Sequence, residues 1–164
     1  MLDTEPSHLI IGAGPVGLTA AIELKRRGIK AMIIDNDGEP TPESRALAIN
    51  ARSLDIFEPS GITERLIKAG NKIEEVIVKK NNQQIFQLDL TKIPHKYNFM
   101  LCLPQSETEQ ILIDYLKEQN HAINWHTSLE NISLTSAGFQ CFLKDLEEGE
   151  DAVPVMIETG NLIG

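Results

Sequence analysis

Three glycines near the N-terminus have the spacing of a phosphate-binding turn. Gly12, Gly14 and Gly17 form the pattern G-x-G-x-x-G in the segment GAGPVG. In this pattern the first glycine permits a tight turn, the second leaves room for a pyrophosphate because it lacks a Cβ, and the third lets a helix pack close to a strand. Pro15 and Val16 would open that helix, where a proline loses no hydrogen bond and free N–H groups attract an anion. These five residues therefore predict a dinucleotide site.

The elements around the glycines complete a β-α-β unit. An apolar strand is predicted over 8–11, a helix over 15–27 that ends at Gly28, and a second apolar strand over 31–34. Asp35 follows that strand, 18 positions after Gly17, near the spacing of about 20 that is expected for a ribose-binding acid. A carboxylate there can accept hydrogen bonds from both ribose hydroxyls and repels a 2′-phosphate. We therefore expect FAD or NAD to be preferred over NADP.

Composition limits the classes of protein that this chain can represent. Its 164 residues suit one domain, or a domain with part of another, and 41% hydrophobic with 24% charged residues is ordinary for a soluble globular protein. The net charge of −9 argues against nucleic-acid partners. The apolar run over 9–22 is interrupted by glycines and preceded by acidic residues, so we predict neither a signal peptide nor a membrane span.

Neither the cysteines nor the histidines have the spacing of a metal site. Cys102 and Cys141 form no disulfide framework, which favours a reducing, cytoplasmic setting. The four histidines show no metal-binding pattern, and we expect three of them to lie at the surface: His95, His121 and His126. The sequence also shows no Ser-His-Asp or Cys-His set and no paired carboxylates that would indicate hydrolysis. We predict no metal, and the catalytic residues stay unassigned.

The remaining elements alternate between helical and β patterns. On the first helix we expect Val16, Ala20 and Leu24 to form the apolar face. After a loop over 36–44, helices are predicted over 50–58 and 62–69, with a break at Gly61. Strands over 72–79 and 84–90 should pair as a hairpin through a turn at Asn81 and Asn82.

The second half of the chain is predicted to continue both sheets. A strand over 99–103 precedes a helix that should begin with Ser106 as N-cap and Glu109 as its capping-box partner, and that runs to 119. A strand over 122–125 should run parallel to the first two strands. Segments 129–135, 139–144 and 153–158 should form an antiparallel group. The last residues, Leu162-Ile163-Gly164, read as the start of another strand, so we expect a fragment of a longer protein.

Several of these features together resemble one family of flavoproteins. They are GAGPVG at 12–17, Asp35, Ser44-Arg45-Ala46, Arg52-Ser53-Leu54, Gly61, and Pro104-Gln105 leading a helix with Glu109 and Leu112. The set resembles the N-terminal part of the FAD-dependent aromatic hydroxylases, the para-hydroxybenzoate hydroxylase and phenol hydroxylase group, over essentially the whole chain. The first motif is shared by many flavoproteins, whereas the Arg45 and Gln105 segments narrow the resemblance to this group.

The resemblance implies an α/β fold: a Rossmann-like FAD-binding domain with a parallel sheet and an antiparallel β-meander, plus a small piece of a substrate-domain β-sheet. The FAD-binding domain would comprise 1–70 and 104–164, and 71–103 would begin the substrate sheet. Cofactor contacts are implied for nine positions: Gly12, Gly14, Pro15, Val16, Gly17, Asp35, Arg45, Gln105 and Leu129. Arg45 would lie near the pyrophosphate or ribityl chain, Gln105 near the ribityl chain, and the Leu129 backbone near the adenine. From the residues alone, Arg45 could reach the phosphates as a bidentate donor, with a solvated loop arginine as the alternative. Gln105 can equally be part of a helix N-terminus.

The implied activity is hydroxylation of an aromatic or related small molecule with FAD as cofactor, NADPH or NADH as co-substrate, and O₂. Full members continue with an Asp-Gly segment and a later Gly-Asp segment that binds the ribityl chain and the phosphates, so this chain alone should be weakly active or inactive. The substrate, the nicotinamide preference and the oligomeric state stay open. Alternatives are a halogenase, an isoprenoid-chain reductase, or a FAD- or nucleotide-binding module without turnover. A simple NAD-dependent dehydrogenase is disfavoured by the hairpin after residue 70.

Overall fold

The computed structural model describes residues 6–40, 48–149 and 154–164. The chain divides into two compact units, which are Met1–Pro42 with Leu112–Gly164, and Glu43–Ile111. In chain order the strands and helices are β1 (His8–Ile11), α1 (Pro15–Arg26), β2 (Ala31–Ile34), β3 (Ala48–Ile49), α2 (Ala51–Phe57), α3 (Ile62–Ala69), β4 (Asn71–Ile73), β5 (Glu75–Lys80), β6 (Gln83–Asp89), β7 (Met100–Cys102), α4 (Gln105–Glu118), β8 (Ile123–Asn124), β9 (Thr127–Thr135), β10 (Gly138–Asp145), β11 (Val155–Thr159) and β12 (Asn161–Ile163).

A four-stranded parallel sheet organises the first unit. Its order is β12-β1-β2-β8, and β1 and β2 pair from His8 opposite Ala31 to Ile11 opposite Ile34. Both strands are almost continuously apolar, as is usual for parallel strands that are covered on both faces. Leu9, Ile10 and Ile33 are fully buried. The α/β fold and the parallel placement of β8 are thus confirmed.

The buried face of α1 differs from the predicted one. Val16 is 78% exposed, whereas Gly17, Leu18, Ala21 and Ile22 are buried. The expectation that Val16 heads the buried face was therefore wrong. Successive residues of a helix are turned by about 100°, so the close approach of Gly17 to the turn below it directs the neighbouring Val16 toward solvent.

An antiparallel meander covers one face of the parallel sheet. Its strand order is β11-β10-β9, which confirms the predicted three-stranded group. Alternate side chains of the meander strands point toward the parallel sheet, and they form one core together with side chains of β1 and β2. That core comprises Leu9, Met32, Ile34, Cys141, Leu143 and Ile157.

The second unit contains the helices α2 and α3 and two small antiparallel sheets. Asn50 caps α2 by accepting a hydrogen bond from the Ser53 N–H at 3.0 Å. Buried Thr63 on α3 donates its hydroxyl to the Leu54 carbonyl on α2 at 2.5 Å. One sheet has the order β3-β7-β4, and the other is the hairpin β5-β6.

The hairpin turn is confirmed, but the strand before it is not continuous. Asn81 and Asn82 both have positive φ, 51° and 62°, which is the geometry of the two-residue turn favoured in hairpins. The segment predicted as one strand over 72–79 forms two strands with different partners. β4 pairs with β7 and β5 pairs with β6, because the chain leaves one sheet and enters the other at Glu74.

Helix α4 begins two residues earlier than predicted. The Thr108 N–H donates to the Pro104 carbonyl at 3.0 Å, so Gln105 is already helical and Ser106 cannot be the N-cap. The Glu109 carboxylate accepts a hydrogen bond from the Gln105 amide at 2.8 Å. Within the described residues, none of the helices is both long and apolar enough to cross a membrane.

Candidate functional site

The turn between β1 and α1 requires glycine at two positions. Gly12 has a φ of 101°, a conformation that L side chains rarely adopt, and its N–H donates to the Ile34 carbonyl at 2.9 Å. A Cβ on Gly17 would overlap the Gly12 carbonyl oxygen and would lie 3.3 Å from Ile10 Cγ2. The first and third glycines therefore serve the turn and the packing of α1 on it.

Gly14 has a different environment from the other two glycines. It is the N-cap of α1 with a φ of −73°, and a Cβ added there would have no neighbour within 4 Å. The first turn of α1 has no side-chain cap and no acidic residue. Its free N–H groups and the positive end of the helix dipole therefore face open space, which is the arrangement that binds a phosphate.

The Asp35 carboxylate is held against this turn by two backbone hydrogen bonds. One oxygen accepts from the Ala13 N–H at 2.5 Å, and the other accepts from the Asp37 N–H at 2.8 Å. The main chain of Asp35 is also fixed, because its N–H donates to Asn124 and its carbonyl accepts from Thr127. A carboxylate has about four acceptor positions, so two stay available to ribose hydroxyls.

A cavity of about 240 Å³ opens beside Asp35 at the carboxyl ends of β1 and β2. Ligands of open α/β sheets bind at this end of the strands. Sequence reasoning anticipated only Gly12 and Asp35 among the residues around the cavity. The lining residues are Ile11, Gly12, Ile34, Asp35, Asn36, Asp37 and Thr127.

The other predicted contact residues have separate locations. Leu129 lies on β9, two positions after Thr127, and its side chain packs against the shared core, which leaves its backbone as the group that could meet a ligand. Gln105 belongs to the second unit and bonds Glu109, whose side chain is buried. Arg45 lies outside the described residues.

None of the described histidines is itself a lining residue of this cavity. His95 Nε2 lies 3.2 Å from an Asp55 carboxylate oxygen, and His126 Nε2 lies 3.3 Å from a Glu147 oxygen. His121 is half-buried instead of lying at the surface as expected, and within the described part of the chain its buried Nε2 has no hydrogen-bond partner. Burial lowers the pKa of His121, and the nearby positive charge of Lys25 lowers it further.

Comparison with known proteins identifies the family to which the chain belongs. A protein-family model described as FAD binding domain matches residues 5–154. The chain belongs to this family of FAD-binding domains. FAD is therefore the cofactor of this domain, and the choice between FAD and NAD that the first motif left open is resolved.

Relatives of this FAD-binding domain are monooxygenases. The chain is 36% identical over 126 residues to 6-methylpretetramide 4-monooxygenase of Streptomyces rimosus, covering 76% of this chain and 23% of the relative. It is 32% identical over 143 residues to pentachlorophenol 4-monooxygenase of Sphingobium chlorophenolicum, covering 86% of this chain and 26% of the relative. The chain thus spans about a quarter of the length of these two proteins.

The fold is that of known members of the group. The crystal structure of p-nitrophenol 4-monooxygenase from Pseudomonas putida superposes with a TM-score of 0.87 at 18% identity, covering 98% of this chain and 40% of that one. The family match and the two relatives confirm the sequence resemblance to FAD-dependent aromatic hydroxylases, and this superposition confirms the predicted Rossmann-like fold.

The residues of the first unit fit the adenosine diphosphate half of FAD. The space beside Gly14 is open where a Cβ would otherwise stand, and the uncapped end of α1 suits a doubly charged pyrophosphate. Asp35 provides the acceptors that a ribose diol needs, at the mouth of a cavity. The donor set is thus appropriate for this group.

Proposed function

We propose that this domain is the FAD-binding part of a flavin-dependent monooxygenase that hydroxylates an aromatic or related organic molecule. One structural observation carries the proposal. The glycine turn and Asp35 are joined by the Ala13–Asp35 hydrogen bond, so the phosphate and ribose subsites form one rigid site. The names of the relatives, which specify pretetramide and chlorophenol substrates, support an aromatic substrate.

In this proposal each group of the chain has a binding task. The N–H groups at the start of α1 hold the pyrophosphate, with Gly12, Gly14, Pro15, Val16 and Gly17 shaping the turn. Asp35 holds the adenosine ribose, and the Leu129 backbone lies near the adenine. Arg45 and Gln105 are proposed to contact the pyrophosphate or ribityl chain. When bound, FAD supplies the redox chemistry, with NADPH or NADH and O₂ as co-substrates, while the protein positions and tunes it.

The division of the chain into functional segments is part of the same proposal. Residues 1–70 and 104–164 serve FAD, and 71–103 contribute to a sheet that faces the substrate. A cytoplasmic setting is supported by the state of the cysteines, because Cys102 and Cys141 are both free. Burial raises the pKa of the Cys141 thiol, which keeps it protonated and unreactive.

A ligand series tests the FAD site on the 164-residue chain itself. Calorimetric titrations with FAD, ADP and FMN should give measurable binding of FAD and ADP and much weaker binding of FMN, because the described site fits the adenosine half. NAD⁺ should also bind more tightly than NADP⁺, since the Asp35 carboxylate repels a 2′-phosphate. Equal affinities for FMN and FAD would contradict the assignment of the site.

Turnover is tested on a longer protein that contains this sequence. Such a protein should show flavin absorption bands and should oxidise NADPH or NADH faster when a phenolic substrate is added. The 164-residue chain should show no such stimulation, because it spans about a quarter of the relatives' length. Flavin-dependent turnover by the short chain alone would overturn this expectation.

A further inference from the structure

The loop over 35–38, which follows β2, is joined by backbone hydrogen bonds to the residues where β9 begins. The Thr127 N–H donates to the Asp35 carbonyl at 2.8 Å, and the His126 N–H donates to the Asp37 carbonyl at 3.0 Å. The Asp37 N–H in turn donates to the Asp35 carboxylate at 2.8 Å. His126 is therefore connected, through the single residue Asp37, to the carboxylate proposed to hold the adenosine ribose.

His126 has a backbone conformation that favours glycine. Its φ is 51°, in the left-handed region that residues with a Cβ occupy only at a cost in free energy. Hydrogen bonds hold it there from both sides of the residue, because its carbonyl accepts from the Leu146 N–H at 2.7 Å while its N–H donates to Asp37. Such a conformation persists where the surrounding structure fixes it, so the contacts of the side chain are of interest.

Gly38 shows the opposite combination. It does not have a positive φ, so a left-handed backbone is not the reason for a glycine at this position. A Cβ added there would nevertheless overlap Cε1 and Nε2 of the His126 ring and would lie 3.1 Å from its Nδ1. Backbone preference alone would place the glycine at position 126 and a side chain at position 38, and the sequence has the reverse. The contact between the His126 ring and Gly38 explains both residues.

The turn that ends β10 fixes the position of this ring. The His126 Nε2 lies 3.3 Å from a Glu147 carboxylate oxygen, and the Glu147 N–H donates to the Asp145 carboxylate at 2.9 Å. The ring thus covers Gly38, which has more conformational freedom than any other residue of the loop. A loop that is already held in its binding geometry loses less entropy when a ligand binds.

We propose that His126 is a positioning residue for the adenosine subsite. Its imidazole, packed on Gly38, holds the loop over 35–38 so that the Asp35 carboxylate faces the ribose hydroxyls. This role rests on the proposed function, which assigns the ribose to Asp35. All of these residues belong to the first unit of the chain, so the contact joins two segments of one compact body.

Calorimetric titration with two nucleotides tests the role of His126 on the 164-residue chain. ADP carries both ribose hydroxyls and 2′,3′-dideoxy-ADP carries neither, so the wild type should bind ADP about tenfold or more tightly than the dideoxy analogue. His126→Asn tolerates the left-handed φ but lacks the ring. It should weaken ADP binding about fivefold and dideoxy-ADP binding less than about twofold, because the hydroxyls alone depend on Asp35. A role confined to stability would leave the ratio of the two affinities unchanged.

Gly38→Ala disrupts the same contact without changing residue 126. Its Cβ must displace the ring, so the preference for ADP should fall by about the same factor, and this result does not depend on the stability of His126→Asn. Adding Gly38→Ala to His126→Asn should cause no further loss, because both substitutions remove one contact. Asn120→His is the matched control, since exposed Asn120 has nearly the same φ, 52°, and does not line the cavity. It should keep the wild-type ratio.

The possible results distinguish the role of His126 from the ribose assignment on which it rests. A wild type that binds ADP and dideoxy-ADP equally would contradict the assignment of Asp35 and the role of His126 with it. A preference for ADP that persists in His126→Asn and Gly38→Ala, or losses that add in the double variant, would overturn the role of His126 and leave the nucleotide site in place. Far-UV circular dichroism at the titration temperature should show that each variant is folded.

Discussion

Replacing Gly17 by alanine should damage both the fold and the cofactor site. The new Cβ would overlap the Gly12 carbonyl oxygen and would lie 3.0 Å from the Gly12 carbonyl carbon and 3.3 Å from Ile10 Cγ2, whereas ordinary contacts begin at 3.4 Å. Two of these three atoms belong to the backbone, so rotation of a side chain cannot relieve the overlap. Either α1 or the turn must move.

Movement of the turn is resisted by its own hydrogen bonds. The Gly12 N–H is bonded to the Ile34 carbonyl, and the Ala13 N–H is bonded to Asp35. We therefore expect Gly17→Ala to cost about 1–3 kcal/mol, the usual penalty for overpacking. In a chain of this size that corresponds to a melting temperature lower by very roughly 2–12 °C. FAD affinity should fall as well, because the phosphate site lies on the displaced turn.

Gly14→Ala provides the matched control, since it is the same substitution three residues earlier in the chain. The φ of −73° suits alanine and no atom lies within 4 Å of the added Cβ. The loss of unfolded-state entropy favours the variant, and the poorer N-cap disfavours it, so stability should change by less than about 1 kcal/mol. FAD binding should nevertheless weaken, because the Cβ occupies the space assigned to the pyrophosphate.

Both variants are compared by thermal unfolding without ligand and by FAD titration at a temperature where each is folded. The expected pattern is loss of stability for Gly17→Ala and loss of affinity with preserved stability for Gly14→Ala. A Gly17→Ala protein that melts with the wild type would refute the packing argument. Unchanged FAD affinity in Gly14→Ala would refute the assignment of the pyrophosphate.

Three further substitutions probe the acid Asp35, the half-buried His121 and a contact between two helices. Asp35→Asn should weaken FAD binding about tenfold or more in titrations, because both carboxylate oxygens accept backbone N–H bonds and an amide has one acceptor oxygen, so the N–H of either Ala13 or Asp37 loses its acceptor. The lowered pKa of His121 means that the unfolded chain binds the proton more readily. The stability that arises from this preference for neutral His121 is therefore fully present above the ordinary pKa of about 6.5. It is lost as the pH falls toward the lowered pKa. His121→Gln should thus reduce the difference in urea stability between about pH 7.5 and about pH 5.5. Thr63→Val should cost about 1–2 kcal/mol in urea unfolding, because the Leu54 carbonyl loses a buried donor.

Each of these results has a control. Asp35→Glu retains the charge and should bind FAD better than Asp35→Asn, and the reverse order would contradict the hydrogen-bonding role. A pH dependence that persists fully in His121→Gln would show that other groups cause it. Thr63→Ser keeps the hydroxyl, so its stability should lie between those of the wild type and the valine variant.

Local patterns predicted the elements around the cofactor site closely. β1 and β2 have the predicted bounds, and Gly28 has the positive φ of 70° expected after a helix. The hairpin turn at Asn81 and Asn82 was also predicted. Short-range effects decide these features: the steric freedom of glycine and asparagine, the apolar runs of buried parallel strands, and the free N–H groups at a helix start. The FAD site could be inferred from sequence for that reason.

Long-range packing decided the features that the patterns could not. The buried side of α1 follows from contact between Gly17 and Gly12, and the division of 72–79 into β4 and β5 follows from pairing with β7 and β6. Thr127 reaches the cavity beside Asp35 because the strand before it, β8, lies next to β2. The Asn124–Ile33 hydrogen bond between these two strands joins residues that are 91 positions apart along the chain. The periodicity of the sequence shows which residues are apolar. The direction in which they face depends on which strand pairs with which, and on where two segments of backbone come into close contact.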